Sequence, residues 1–371
     1  MNWRRKSKSD WGRLDLNFKN LSEVSDYVNE RVKVENLTVE NYISTENMLP
    51  NKGGIDKAIK LPAAKTTSLY SKGDILLSNI RTYFKKIWYA EKDGGCSNDV
   101  LVVRARGEIE PKFLYYVLSN DKFFEYSSAT SKGTKMPRGD KSAIMQYQIP
   151  DMPLEEQRTI VSVLSALDDR IAENKKINHH LEQIAFAIFD DMFPNVSLGS
   201  KLVGEYIVPK RGKGLLSKDA IAGKVPVVAG GLQPATYHNT ANTVAPVITI
   251  SASGANAGYV NLWSVPVWSS DSSFIDTSMS QDVYFWYVML KKRQQEIYES
   301  QTGSAQPHIY PKHIEILPTI ELSQESISVF TTRVTPIFTQ IGKNFDEIQV
   351  LQNTRDVLLP KLISGDISVT D

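Results

Sequence analysis

Apolar residues recur at two tempos along this chain. Between Ile160 and Met192 the spacing is a strict 4-3 alternation: Ile160, Leu164, Leu167, Ile171, Asn174, Asn178, Leu181, Ala185, Ile188 and Met192. A seven-residue repeat of this kind is the seam of a coiled coil. Pro153 stands just before it, and Glu155 and Glu156 fall in the first turn, where the helix dipole favours anions. The pattern predicts one helix over about Leu154–Phe193, which at 1.5 Å per residue is roughly 60 Å long. That is a strut rather than part of a small core. A second stretch, from about Ser323, puts Phe330, Val334, Ile337, Ile341, Phe345, Ile348, Leu351, Leu358 and Leu362 on a similar seam. It breaks at Arg355, and Pro336 is expected to kink the helix or mark its start. Each apolar stripe needs a partner; the economical arrangement packs the two helices antiparallel, and the alternative is that each seam docks on its own globular domain. Leu164, Leu167, Ile171, Leu181, Ile188, Ile341, Ile348, Leu351 and Leu358 are the expected interface. Asn174 and Asn178 fit either a buried register-setting role or an exposed one.

Outside the two struts the tempo is that of strands: short β-branched runs such as Val100–Val103 and Val247–Ile250, set between Gly, Pro, Asn and Ser turns. These runs repeat. Ser78 in GDILLSNIR pairs with Ser251 in APVITISASG, and Ser97-Asn98-Asp99 pairs with Ser269-Ser270-Asp271. Tyr116 pairs with Tyr287, Gly133 and Pro137 with Gly303 and Pro307, and Ile149-Pro150 with Leu317-Pro318. The offset drifts smoothly from 173 to 168 residues, as small insertions would make it. The chain is therefore read as two copies of one unit. Each copy is a globular domain with a short helical stretch (near Pro111–Tyr126 and Gln281–Tyr298), followed by a long helix. The expected class is α+β: two pseudo-repeated globular α/β domains separated by two long antiparallel coiled-coil helices. The boundaries are 1–153, 154–195, 196–320 and 321–371.

Composition narrows the class. The single cysteine, Cys96, excludes an intramolecular disulfide and a cysteine-rich zinc site, and fits a reducing compartment. The longest apolar run, about Val283–Leu290, is far short of the ~20 residues of a membrane span. The N-terminal MNWRRKSKSDW lacks the apolar stretch of a signal peptide. A soluble, cytoplasmic protein is expected. The net charge of +1, from 43 Lys and Arg against 42 Asp and Glu, argues at face value against a nucleic-acid binder. Divided by segment it reads differently: +6 over 1–153, −4 over 154–195, +2 over 196–320 and −3 over 321–371. The domains are basic and the struts acidic.

Within the domains the cations gather on glycine-bearing loops. The N-terminus carries Arg4, Arg5, Lys6, Lys8 and Arg13. The loop after GDILLSN carries Arg81, Lys85 and Lys86, interleaved with Tyr83, Phe84 and Trp88, and SKGTKMPRGDK carries Lys132, Lys135, Arg138 and Lys141. In the second copy Lys210, Arg211 and Lys213 surround Gly212 and Gly214, whereas QTGSAQPHIY is amide-rich, with Gln301, Gln306 and His308. Lys and Arg neutralise phosphates, while Arg, Gln and Asn can grip base edges with paired hydrogen bonds. The expected DNA-contacting set is Arg81, Lys85, Lys132, Lys135 and Arg138 in the first domain. In the second it is Lys210, Arg211, Lys213, Gln233, Ser253, Asn256, Gln301 and Gln306.

Catalytic signatures are missing. No phosphate-cradling G-x-x-x-x-G-K-[ST] occurs, SASGANAG lacks a full G-x-G-x-x-G, the five histidines show no zinc spacing, and there is no G-x-S-x-G elbow. His179 and His180 are expected on the outer face of the first strut. No catalytic centre and no metal site is proposed for this chain.

The central LEEQRTIVSVLSALDDRIAENKKINHHLEQIAFAIFDDMF and the C-terminal LQNTRDVLLPKLISGDI, set in a repeat with GDILLS and G-T/S-x-x-P landmarks, resemble the DNA-specificity subunits of type I restriction–modification enzymes. The resemblance spans essentially the whole chain and is most specific at the two helices. It implies that each globular domain reads one half of a bipartite, asymmetric site in double-stranded DNA, with the helices as spacer. It also implies two methyltransferase subunits around the helices and restriction subunits beyond them. S-adenosylmethionine, ATP and Mg would then belong to those partners, with no cofactor in this chain. The low basicity of the second domain departs from a uniform plan and points to amides there. Two other classes stay open: a self-contained DNA methyltransferase or nuclease, which would transfer a labelled methyl group without a partner, and a coiled-coil adaptor with non-nucleic ligands. DNA affinity would then depend little on salt, whereas phosphate contacts give a steep negative slope.

Overall fold

Val100 to Val103 are all buried because alternate side chains enter different cores. Leu101 and Val103 join the core that includes Phe113 and Val117, while Val100 and Val102 join Tyr70 and Cys96. A period of two with both faces covered makes a continuous apolar run. The computed structural model in which this is seen describes residues 17–303 and 306–367, so Arg4, Arg5, Lys6, Lys8 and Arg13 lie outside the described residues. The chain divides into two units, Met1–Arg170 with Val350–Asp371, and Ile171–Gln349.

The first unit runs β1 (Phe18–Asn20), α1 (Leu21–Val24), β2 (Ser25–Tyr27), β3 (Arg31–Lys33), β4 (Tyr42–Ile43), β5 (Thr66–Tyr70), β6 (Ile75–Ser78), β7 (Ile87–Tyr89), β8 (Gly94–Cys96) and β9 (Val100–Ala105). There follow α2 (Pro111–Ser119), α3 (Asp121–Ala129), α4 (Lys141–Ile144) and β10 (Gln148–Pro150), and then the long α5 (Leu154–Met192). Its strands form two four-stranded sheets, β2-β9-β6-β7 and β3-β5-β8-β4, with β1 paired to β10. The helical stretch near Pro111–Tyr126 is in fact two helices. Asn120 ends α2, and its side chain caps α3 by accepting from the Lys122 amide at 3.0 Å. Cys96 is fully buried, and burial pushes its thiol pKa up to about 12.

The second unit runs β11 (Lys201–Leu202), β12 (Lys210–Arg211), β13 (Val225–Val228), β14 (Thr236–His238), β15 (Val247–Ser251), β16 (Val260–Trp263), β17 (Trp268–Ser269) and β18 (Ser272–Asp276). It continues through α6 (Val283–Lys292), α7 (Gln294–Glu299), α8 (Pro311–Glu315) and β19 (Pro318–Thr319) into the long α9 (Gln324–Ile363). The sheet order β12-β18-β15-β16 repeats β2-β9-β6-β7, and β11–β19 repeats β1–β10. The parallel pair β13–β17 repeats β4–β8. Strands β6 and β15 both end on the serines that the sequence aligns, Ser78 and Ser251. The sequence repeat is a topological repeat.

The long helices pack on each other within each unit. In the second, Asn344 Nδ2 donates to Asn178 Oδ1 at 2.7 Å, and Phe189 meets Phe330 with ring centroids 5.4 Å apart. Rising numbers on α5 thus meet falling numbers on α9, so the pair is antiparallel. In the first, Arg355 Nη1 lies 2.9 Å from Asp168 Oδ1, and Ile160 and Leu164 share a core with Leu359 and Leu362. Asn174 and Asn178 are both buried, and Asn178 makes the cross-helix bond.

Three expectations for α9 are corrected. The helix starts at Gln324 and continues through Pro336, so that proline does not mark its start. Phe345 is 50% exposed, and Asn344, one residue earlier, is buried in its place. Arg355 does not end the seam, since it is half-buried and paired with Asp168. The seam of α9 is that of α5 moved by 170 residues throughout, with Asn344 matching Asn174 and Arg355 matching Ala185.

Each globular domain meets a long helix through its repeated tyrosine. Tyr116 donates to Asp168 at 2.8 Å, and Tyr287 donates to Glu182. Burial first, and then the facing carboxylate, raises both phenol pKa values above the ordinary 10. No described helix is long and apolar enough to cross a membrane.

Candidate nucleic-acid interface

In both units the central strand turns out at its serine into a loop that a small hairpin crosses. In the first, Lys132 and Arg138 exchange backbone hydrogen bonds of 2.8 and 2.9 Å, the Arg81 amide donates to Pro137 O, and the Gly139 amide donates to Asn79 O. In the second, Thr302 and His308 exchange the same pair, Gly254 donates to Pro307 O, and Ile309 donates to Ala252 O. Gly133 and Gly303 hold the hairpin turns at φ +98° and +94°, where a side chain is strained. This is the physical reason for the G-x-x-x-P landmark in both copies.

The first hairpin brings Arg81, Lys132, Lys135 and Arg138 together. Lys132 pairs with Asp140 at 2.6 Å, Arg138 pairs with Asp99 at 3.0 Å, and Lys135 is exposed beside Met136 at the tip. Lys85 stands on an adjoining finger. Arg81 and Lys85 flank the turn Thr82–Phe84 in left-handed backbone, and the facing loop residues Asn51 and Lys52 are left-handed too. Two 2.8 Å bonds, from the Asn51 amide to Phe84 O and from the Lys52 amide to Lys85 O, hold this unusual backbone. Tyr83 and Phe84 are exposed at the fingertip with ring centroids 4.8 Å apart, whereas Trp88 is drawn into the core against Tyr70. Lys85 and Lys52 both pair with Asp121. Burial pushes that carboxyl pKa up, the two lysines outweigh it, and the net pKa is lowered.

The second site mixes cations, amides and rings. Arg211, on edge strand β12, pairs with Asp271 at 2.7 Å, and Ser253 donates to the same carboxylate. Asn256 Nδ2 lies 3.4 Å from Gly230 O, and a Cβ on Gly230 would sit 2.5 Å from Ser253 O, so those two loops abut. Gln233 is exposed on the Gly230 loop, Gln306 is exposed on the hairpin, and Lys210 and Lys213 are exposed beside Arg211. Gln301 is turned inward, its amide donating to Ala257 O at 2.7 Å, so its donor group supports the loop. Sequence reasoning missed Tyr310. Its ring stacks between His308 and His313 at 5.9 and 5.8 Å and lies 6.0 Å from the Arg211 guanidinium. The paired spacing His308, Tyr310, His313 was the available signal.

Among the described residues no cluster of His, Cys, Asp or Glu is arranged to hold a metal. Residues 14–183 match the family model described as type I restriction modification DNA specificity domain. The chain is 25% identical over 359 residues to the type I restriction enzyme MjaIX specificity subunit of Methanocaldococcus jannaschii, covering 85% of this chain and 83% of that protein. It is 28% identical over 252 residues to the HindI specificity subunit of Haemophilus influenzae, covering 63% and 53%.

Over residues 14–183 the chain resembles the type I DNA-specificity family. The fold agrees: the S subunit of the type I restriction-modification system from M. genitalium superposes with a TM-score of 0.54 at 21% identity, covering 98% of this chain and 99% of that one. The family match falls on the first copy of the repeat and part of α5, and the second copy repeats the strand order of the first.

Proposed function

We propose that this chain is the non-catalytic DNA-recognition subunit of a type I restriction–modification complex in which domains 1–153 and 196–320 each read one half of a bipartite site. The observation that carries this reading is one fold occurring twice with chemically different loops. A basic hairpin and finger stand in the first copy, and an arginine with amides and a ring stack in the second. Unlike readers imply a non-palindromic target. Arg81, Lys85, Lys132, Lys135 and Arg138 serve the first half-site. Lys210, Arg211, Lys213, Gln233, Ser253, Asn256 and Gln306 serve the second, with Gln301 as loop support. Segments 154–195 and 321–371 set the spacing and dock methyltransferase subunits. Restriction subunits join that assembly, and S-adenosylmethionine, ATP and Mg are used by the partners.

The test is modification mapping of genomic DNA in the presence of the partner methyltransferase. Removing one heptad from each long helix, 174–180 and 344–350, keeps both seams in phase and shortens each helix by about 10 Å. Both half-sequences should persist while the gap between them shrinks by about three base pairs at ~3.4 Å each. An unchanged gap would overturn the spacer role.

A further inference from the structure

One side chain that sequence reasoning used only as a repeat landmark occupies the same place in both copies and touches a candidate base-reading arginine in each. Asp99 directly precedes β9, and Asp271 directly precedes β18. Equivalent backbone bonds fix them: the Asn79 amide donates to Asp99 O at 2.8 Å, and the Ala252 amide to Asp271 O at 3.1 Å. Both therefore stand where the central strand opens into the hairpin loop. Asp99 Oδ1 lies 3.0 Å from Arg138 Nη2, and Asp271 Oδ1 lies 2.7 Å from Arg211 Nη2.

The two arginines are not repeat partners. The residue equivalent to Arg138 is His308, which makes the matching backbone bridges. Arg211 reaches its carboxylate from the edge strand β12 instead. The carboxylate has kept its place while the guanidinium arrives by a different route, so the pairing itself is what recurs. As a stabiliser an exposed ion pair contributes little. A carboxylate on a DNA-facing surface also opposes phosphate binding. Its physical gain is orientation: an arginine grips guanine O6 and N7 with two N–H groups, and a carboxylate holding one Nη reduces the rotamer freedom lost on binding.

We propose that Asp99 and Asp271 are positioning residues, one per half-site, that pre-orient Arg138 and Arg211 for base reading. This rests on the DNA-recognition reading above and adds to it two acidic residues whose role is specificity at the expense of affinity.

The experiment compares Asp99→Asn, Asp271→Asn, Asp99→Glu, Arg138→Ala and Arg211→Ala in the full chain within its own assembly. Bound sequences are selected from randomised duplex DNA, and affinity for unrelated duplex is measured alongside. Asp99→Asn should flatten the preference at one position of one half-site by about tenfold, and Asp271→Asn should do so in the other. Binding to unrelated DNA should rise in both, because a negative charge has gone. Asp99→Glu should restore part of the preference. Each arginine variant should lose the same preference and bind unrelated DNA more weakly. If the asparagine variants keep every preference while the arginine variants lose theirs, the positioning role is wrong and the recognition reading stands. If neither arginine variant alters any preference, base reading by these arginines fails and the positioning role fails with it. Asp99 and Asp271 lie in different units, so misfolding of one variant, seen in its thermal unfolding, leaves the other as a complete test.

Discussion

At positions 170 residues apart the first unit carries Asp168 and Arg355, where the second carries Phe338 and Ala185. In the first, Tyr116 donates to Asp168, which pairs with Arg355, so domain and both helices meet in a charged triad. In the second, Phe338 stacks on Tyr284 at 4.8 Å and meets Tyr287 edge-on at 5.6 Å, Ala185 is fully buried, and the Tyr287 hydroxyl finds Glu182 instead. One backbone plan therefore supports two kinds of joint. The charged joint is directional and fails when one member is lost, whereas the aromatic joint depends on filled volume.

The largest effect should come from emptying the aromatic core that adjoins this joint on the same two helices. Phe330 is fully buried among Phe189, Phe193 and Phe285, and Phe330→Ala should cost about 3–5 kcal/mol in denaturant unfolding of the second unit. A loss below about 1 kcal/mol would show that filled volume is not what holds it. Next comes the charged joint. Arg355→Met leaves Asp168 without its cation and should cost roughly 1.5–3 kcal/mol, and adding Asp168→Asn, which removes the charge but keeps an acceptor for Tyr116, should recover most of that loss. Additive losses in this double-mutant cycle would mean the pair is not the organising contact.

The smallest effect is one the two joints should share. Tyr116 and Tyr287 both have pKa values raised above 10 by burial and then by a carboxylate. A group whose folded pKa is raised contributes stability that is complete below its unfolded pKa and is lost as pH rises through the folded one. Both units should therefore weaken above pH 10. Other buried tyrosines such as Tyr70 and Tyr259 share the effect, so Tyr116→Phe should lessen that alkaline slope in the first unit only, and Tyr287→Phe in the second only. A single variant that lessened both would break the separation.

Much of this was legible because it is periodic. All ten seam positions of α5 named from spacing are buried or half-buried. On α9 hydrophobicity misled where periodicity did not. Phe345 looked like the better core residue, but the 4-3 rhythm falls on Asn344, and the matching Asn174 held the same place in the first helix. Arg355 looked like a break because the aspartate that neutralises it lies on the other helix. The hairpins were visible through their glycine and proline. The carboxylates that hold Arg138 and Arg211 were not, because a pairing between distant segments leaves no local pattern.

The sealed Cys96 gives these look-alike halves different chemistry. It is the chain's only sulfhydryl, packed beside Tyr70 and Leu76, and at neutral pH it is held as the unreactive protonated form. A thiol reagent can reach it only when the sheets of the first unit part, and the second unit has nothing for the reagent to find. The natural chain thus carries a gauge of its own breathing, wired to one half alone.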